Sequence, residues 1–92
     1  MIKRSLDQGA AFINGEIVPI NEAKIPISDW GFLRSDATYD VAHVWKNKFF
    51  RIDDHIERFF SSMERLHMDV GMTRAEIKQA MIDCFKATPF ED

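Results

Sequence analysis

Cysteine and glycine are scarce in this chain of 92 residues, which has one cysteine, Cys84, and four glycines. A single cysteine excludes an internal disulfide and fits a reducing compartment, so a cytoplasmic location is expected. The glycines are not clustered, and a Gly-rich phosphate-binding loop is therefore not predicted. Cys84 falls on an apolar helical pattern, where we expect a structural thiol and not a nucleophile.

Long apolar runs and an excess of positive charge are missing as well. No run approaches the roughly 20 residues of a membrane span, and the first residues lack the apolar region of a signal peptide. The net charge of −3 gives no electrostatic footprint for nucleic acid. The three histidines, His43, His55 and His67, have no companions at ligand spacing, so no metal site is predicted.

Large apolar residues, in contrast, are abundant. The chain is 46% hydrophobic and contains eight Phe, two Trp and five Met. This is the composition of a globular protein, and residues 1–92 are predicted to form a single domain. Because a domain of this size buries only about 60–65% of its unfolded surface, part of the apolar load is expected to face a partner.

Two β-hairpins are predicted in the first half of the chain. Asn14-Gly15 lies between short apolar runs, which is the strongest local signal for a type I′ turn. From Thr38 to Trp45 the side chains alternate as in a strand. Lys46-Asn47-Lys48 then turns the chain into a partner strand from Phe49 to Ile52. Residues 20–29 carry no sustained period and are predicted to be a loop.

Two helices are predicted in the second half. Asp53 or Asp54 is expected to cap the first helix, which Gly71 ends. Its apolar stripe has the spacing of a helix packed on one face and comprises Ile56, Phe59, Phe60, Met63, Leu66 and Val70.

Thr73 and Glu76 form a capping box that opens the second helix, which is expected to run to about Ala87. The predicted fold class is therefore α+β, with an antiparallel sheet of two hairpins followed by two helices.

Arg58 is the candidate with the clearest chemistry. A phosphate ester needs a planar, permanently charged donor on a rigid element, and an arginine on a packed helix supplies one. The alternative, left open by spacing alone, is a solvated arginine that pairs with Asp54 one turn earlier. His55 lies three residues before Arg58 on the same turn.

The stretch from Gly31 to Phe60, GFLRSDATYDVAHVWKNKFFRIDDHIERFF, resembles the N-terminal small domain of the fold-type IV pyridoxal-phosphate aminotransferases. These include the branched-chain and D-amino-acid aminotransferases, and the sequence of this stretch is most similar to that of the (R)-selective amine transaminases. The resemblance implies that Arg58, in the His-x-x-Arg pattern, binds the phosphate of the cofactor. It also implies that His55 orients the start of the helix.

The same resemblance assigns a substrate pocket. Tyr39, in the ATYDV context, is implied to look toward the substrate, with Val41 and His43 beside it and Arg34 in the preceding loop. Branched-chain aminotransferases usually have Phe-Glu-Gly where this chain has Tyr39-Asp40-Val41. Taken without the resemblance, Tyr39 is equally well an ordinary half-buried core tyrosine. Asp40 receives no functional role.

A catalytic residue is not expected in this chain. Aminotransferases use a buried lysine that binds the cofactor covalently, and none of the six lysines lies in a sequence context that predicts burial. The resemblance implies that this lysine belongs to a C-terminal domain that the chain lacks. The chain is thus expected to be an inactive fragment that binds pyridoxal 5′-phosphate weakly or not at all.

Two other interpretations remain open. One is a standalone module that binds a small anion or mediates dimerisation without catalysis. The other is a fragment of an aminodeoxychorismate lyase, ranked lower because of the ATYDV segment. Self-association as a homodimer or larger species is a separate expectation. The resemblance implies a dimer, and the apolar cluster of Trp30, Phe32 and Leu33, predicted to lie in a loop, adds exposed surface that favours pairing.

Overall fold

The computed structural model describes residues 8–92, which contain four short strands, three helices and a 3₁₀ turn at Ile20–Glu22. The elements in chain order are β1 (Ala10–Ile13), β2 (Glu16–Pro19), α1 (Trp30–Arg34), β3 (Val44–Trp45), β4 (Lys48–Phe49), α2 (Ile52–Arg65) and α3 (Arg74–Lys86). The α+β class and the order of two antiparallel hairpins before two long helices are confirmed. The hairpins form two separate two-stranded sheets. Helix α1, within a segment predicted to be a loop, was not foreseen.

The first hairpin closes through the predicted turn. Ile13 pairs with Glu16, which leaves Asn14 and Gly15 as a two-residue loop. Their φ angles are 51° and 83°, so both residues are left-handed as a type I′ turn requires. Asparagine and glycine adopt this conformation at the lowest cost.

The predicted strand from Thr38 to Trp45 is wrong in extent, since only Val44–Trp45 forms a ladder with β4. The last rung beyond that ladder is the hydrogen bond that Phe50 N donates to His43 O, at 2.8 Å. Arg51 then adopts a φ of 51° and directs the chain into α2. The partner strand therefore ends at Phe49, before it reaches the level of residues 38–42. Those residues keep an alternation of exposed and half-buried side chains without a ladder.

Helix α2 begins and ends earlier than its predicted signals. Arg51 is its N-cap residue and offers no side-chain hydrogen bond, while Asp53 and Asp54 lie inside the first turn. The prediction that one of them caps the helix is wrong, although both remain close to the positive end of the helix dipole.

The C-terminal end of α2 is a Schellman motif. His67 adopts a left-handed φ of 56°, His67 N donates to Glu64 O at 3.1 Å, and Met68 N donates to Met63 O at 2.8 Å. The helix thus stops at Arg65 and not at Gly71, and Val70 lies outside its apolar stripe.

Helix α3 starts at the predicted capping box. Thr73 Oγ1 accepts a hydrogen bond from Glu76 N at 3.1 Å, and Glu76 Oε1 accepts one from Thr73 N at 2.9 Å. Two of the amides that a helix start leaves without partners are thereby satisfied. None of the helices in residues 8–92 is long and apolar enough to cross a membrane.

The core is small for a chain of this length. Among residues 8–92 only Ile56 and Met63, both on α2, are buried hydrophobic side chains, at 4% and 5% exposure. Helix α3 packs against α2 and β1, and Phe85 of α3 meets Phe49 of β4 edge-on with ring centroids 5.8 Å apart. The accessible surface is 7624 Å², against about 5,500 Å² for a compact monomer of this mass. Much apolar surface is left uncovered.

Candidate functional site

Three polar side chains meet where the extended segment before β3 passes the first turns of α2. Asp40 accepts hydrogen bonds from Arg58 Nε at 2.7 Å and from Arg58 Nη2 at 2.5 Å. His55 Nδ1 lies 3.2 Å from Asp40 Oδ1 and 3.1 Å from Arg58 Nη2. His55 and Arg58 share one helical turn, so their side chains point to the same side of α2. Asp40 arrives from a segment 18 residues earlier.

This cluster is asymmetric in its burial. The Asp40 side chain is only 10% exposed, whereas that of Arg58 is 64% exposed. The hydrogen bonds from Arg58 hold the pKa of Asp40 well below its usual range, with a further contribution from the Val41 N–H, and they outweigh the desolvation that would raise it. The Asp40 carboxylate in turn raises the pKa of Arg58. The pair is therefore ionised at any physiological pH.

Acid should weaken this contact in a predictable way. Because the pKa of Asp40 is lowered by folding, its contribution to stability is complete above the unfolded-state pKa of about 3.9 and is lost as the pH falls toward the folded-state value. We expect Asp40→Asn to lose less stability than the wild type between about pH 5 and about pH 2, measured by urea unfolding. Asp54→Asn, which removes a carboxylate from the exposed pair with Arg51, is the control for charge. Identical acid profiles for Asp40→Asn and the wild type would contradict the contact.

A cavity of about 220 Å³ lies beside the cluster. Asp40 and His55 are its polar lining residues, and the rest of its wall is apolar, including Ile56, Phe59 and Met81. This volume is below the roughly 300 Å³ at which ligand pockets begin. Arg58 is not part of the wall, although its guanidinium binds Asp40, which is.

Three of the four predicted substrate-pocket residues lie on one exposed side of the extended segment. Tyr39 is 82% exposed and Val41 is 67% exposed, and His43 is exposed in the same register. The residues between them, Asp40 and Ala42, are half-buried toward the helices. Tyr39 is therefore not the core tyrosine that the sequence also allowed. A role of this face in substrate binding stays a prediction.

Arg34 lies apart from the other pocket candidates. It is the last residue of α1, and its guanidinium stands 5.0 Å from the centroid of the Trp30 ring. Such a cation–π contact holds the side chain along its own helix. Its predicted place beside the substrate is not tested by this arrangement.

The remaining chemistry-bearing residues have structural surroundings. Burial raises the pKa of the Cys84 thiol, which disfavours the reactive thiolate. Within residues 8–92 no group of three or more His, Cys, Asp or Glu side chains has the arrangement of a metal site. Lys78 pairs with Asp53 at 3.0 Å, and the lysines at 24, 46, 48 and 86 are exposed.

Comparison with known proteins adds sequence similarity to this geometry. The chain is 31% identical over 81 residues to a D-alanine aminotransferase of Staphylococcus haemolyticus, across 88% of this chain and 29% of that protein. It is 35% identical over 66 residues to the D-alanine aminotransferase of Staphylococcus epidermidis, across 72% of this chain and 23% of that protein. A putative branched-chain-amino-acid aminotransferase of Methanocaldococcus jannaschii is 24% identical over 81 residues, across 88% of this chain and 28% of that protein. No family model matches the chain.

An aminotransferase-related α+β domain is the class that these similarities and the fold define. They confirm the resemblance to the N-terminal part of the fold-type IV aminotransferases, and the chain is a relative of that family. It spans less than a third of the length of the curated relatives it matches.

Asp40 is the site residue that sequence reasoning missed. Arg58 pairs with Asp40 and not with Asp54, whose carboxylate binds Arg51 at 2.8 Å. The alternation of the segment was a usable signal, because it places Asp40 on the side opposite to Tyr39 and Val41. An acidic side chain that faces a helix carrying His55 and Arg58 is expected to pair with one of them, because burial of an unpaired charge is costly.

Proposed function

We propose that this chain supplies the N-terminal part of a pyridoxal-phosphate-dependent aminotransferase that moves an amino group from an amine or amino acid to a 2-oxo acid. The observation that carries the proposal is the guanidinium of Arg58 on α2, which is exposed and hydrogen-bonded to Asp40, in a chain similar to aminotransferases. When bound, the cofactor is the electron sink of this chemistry. The covalent lysine comes from the rest of the enzyme, and the isolated chain is inactive.

Arg58 fits the role of an anchor for the cofactor phosphate. It is permanently charged, stands on a packed helix and keeps most of its side chain accessible. Asp40 neutralises much of that charge, so a dianionic phosphate needs further donors from the remainder of the enzyme. The isolated chain is therefore a weak binder.

The exposed face of Tyr39, Val41 and His43 forms a wall of the substrate pocket in this proposal, with Arg34 nearby in the assembled enzyme. These residues also support the (R)-selective amine transaminase subgroup, whose preference among amino donors they help to set. The large uncovered surface supports contact with the C-terminal domain and with a second copy of the chain. The protein acts in the cytoplasm.

Removal of the Arg58 guanidinium tests the proposal. Arg58→Ala should weaken binding of pyridoxamine 5′-phosphate by roughly tenfold or more, because a hydrogen-bonded charge on the phosphate is lost. Isothermal titration calorimetry measures the affinity. This ligand is chosen because it has no aldehyde that reacts with surface lysines.

Two controls separate a phosphate site from general electrostatics. Arg65→Ala removes an exposed arginine from the last turn of the same helix and should leave the affinity close to that of the wild type. Pyridoxamine, which lacks the phosphate, should bind equally weakly to the wild type and to Arg58→Ala. Equal affinity of the wild type and Arg58→Ala for the phosphorylated ligand would refute the assignment.

A further inference from the structure

The hydrogen bonds of Arg58 are distributed unevenly over its guanidinium. Arginine has five N–H groups, on Nε, Nη1 and Nη2. Asp40 accepts hydrogen bonds from Nε at 2.7 Å and from Nη2 at 2.5 Å, and Nη2 also lies 3.1 Å from His55 Nδ1. Within residues 8–92, Nη1 carries no hydrogen bond. Both N–H groups of Nη1 are thus available to an anion while the opposite edge is held.

Asp40 is itself held firmly enough to act as a support. Its side chain is 10% exposed, and Oδ1 accepts a hydrogen bond from Val41 N at 2.8 Å in addition to its contacts with Arg58 and His55. The two carboxylate oxygens face the planar edge of the guanidinium in a fork geometry. Such a pair fixes the orientation of a long side chain that would otherwise sample several rotamers.

We propose that Asp40 is a positioning residue for the phosphate site. It holds Arg58 by Nε and Nη2 so that Nη1 is the nitrogen presented to the cofactor phosphate. This inference rests on the proposed function, and it makes the contact between the extended segment and α2 part of the cofactor site. Because Tyr39 and Val41 flank Asp40, the same contact fixes the backbone of the substrate-facing side.

A competing role for Asp40 predicts the opposite change in anion affinity when Asp40 is replaced. If the Asp40 carboxylate merely occupied the place of the phosphate, its removal would free Arg58 and strengthen anion binding. If Asp40 positions Arg58, its removal costs orientation and weakens binding, although one negative charge near the anion disappears. The direction of the change in affinity therefore decides between the two roles.

The test combines a signal of the arginine with an affinity. The Nε–Hε resonances of the chain are recorded by ¹H–¹⁵N NMR at neutral pH, and Arg58→Ala assigns the one of interest. In the wild type this proton should exchange slowly with water. It should broaden or disappear in Asp40→Asn and return in Asp40→Glu, which keeps the carboxylate. Asp40→Asn should bind pyridoxamine 5′-phosphate roughly tenfold more weakly than the wild type. Asp40→Glu should restore most of that affinity.

Asp54→Asn is the matched control, since it removes a carboxylate that pairs with Arg51 Nε at 2.8 Å on the same helix. It should leave the Arg58 signal and the affinity close to those of the wild type. Tighter binding by Asp40→Asn, or equal affinities of Asp40→Asn and Asp54→Asn, would overturn the inference while the proposed function stands. If the Arg58 Nε–H exchanges slowly in the wild type and quickly in Asp40→Asn, the contact between Asp40 and Arg58 is supported. If the wild type nevertheless shows no affinity for the ligand, the result counts against the proposed function. Circular dichroism confirms that each variant is folded.

Discussion

Ile56→Ala is expected to unfold much of this protein near physiological temperature. Ile56 is 4% exposed on the inner side of α2 and is one of the two buried hydrophobic side chains in residues 8–92. Truncation of a buried isoleucine to alanine costs about 2–5 kcal/mol. A domain of this size has a total stability on the order of 5–14 kcal/mol, and a core this small places it near the lower end. The thermal midpoint should fall by roughly 10 °C or more.

The same substitution at an exposed isoleucine provides the control. Ile27 is 81% exposed in the loop before α1, so Ile27→Ala should shift the midpoint by no more than a few degrees. Both midpoints are measured by circular dichroism at one protein concentration, because association would stabilise the folded state. Similar shifts for the two variants would show that α2 does not bury Ile56 as described.

Features with local causes could be predicted from the sequence. The turn at Asn14-Gly15 and the capping box of Thr73 and Glu76 depend on residues at most three positions apart, and both form as predicted. Backbone preferences and side chain–backbone hydrogen bonds act at that range whatever the rest of the chain does. The α+β class follows from the order of such local signals.

Features that depend on distant partners were not predictable in the same way. Alternation from Thr38 to Trp45 showed which side chains share a face, but a ladder also needs a neighbouring strand, and β4 ends at Phe49. The end of α2 was set by a left-handed His67, a conformation that a glycine signal at Gly71 does not reveal. Asp40 and Arg58 are 18 residues apart, and spacing within a helix suggested Asp54 as the partner instead.

Self-association through α1 is the second large effect that we expect. Phe32 and Leu33 are 58% and 61% exposed on this short helix, next to Trp30 at 62%. Full burial of a leucine or phenylalanine side chain contributes about 1.5–3 kcal/mol, and a two-fold interface buries each residue twice. The wild type should therefore be a dimer or larger at tens of micromolar. Joint replacement Phe32→Ser and Leu33→Ser should weaken association by roughly a hundredfold.

Light scattering coupled to size exclusion gives the mass, and sedimentation velocity over a dilution series gives the dissociation constant. Ile27→Ser is the control, because it removes a similarly exposed apolar side chain outside α1. Association that is weakened by the double replacement and kept by Ile27→Ser assigns the interface to α1. An unchanged dissociation constant would show that the interface lies elsewhere on the uncovered apolar surface, which also includes Trp45 and Phe50. A monomeric wild type at tens of micromolar would refute the self-association that the exposed apolar surface predicts.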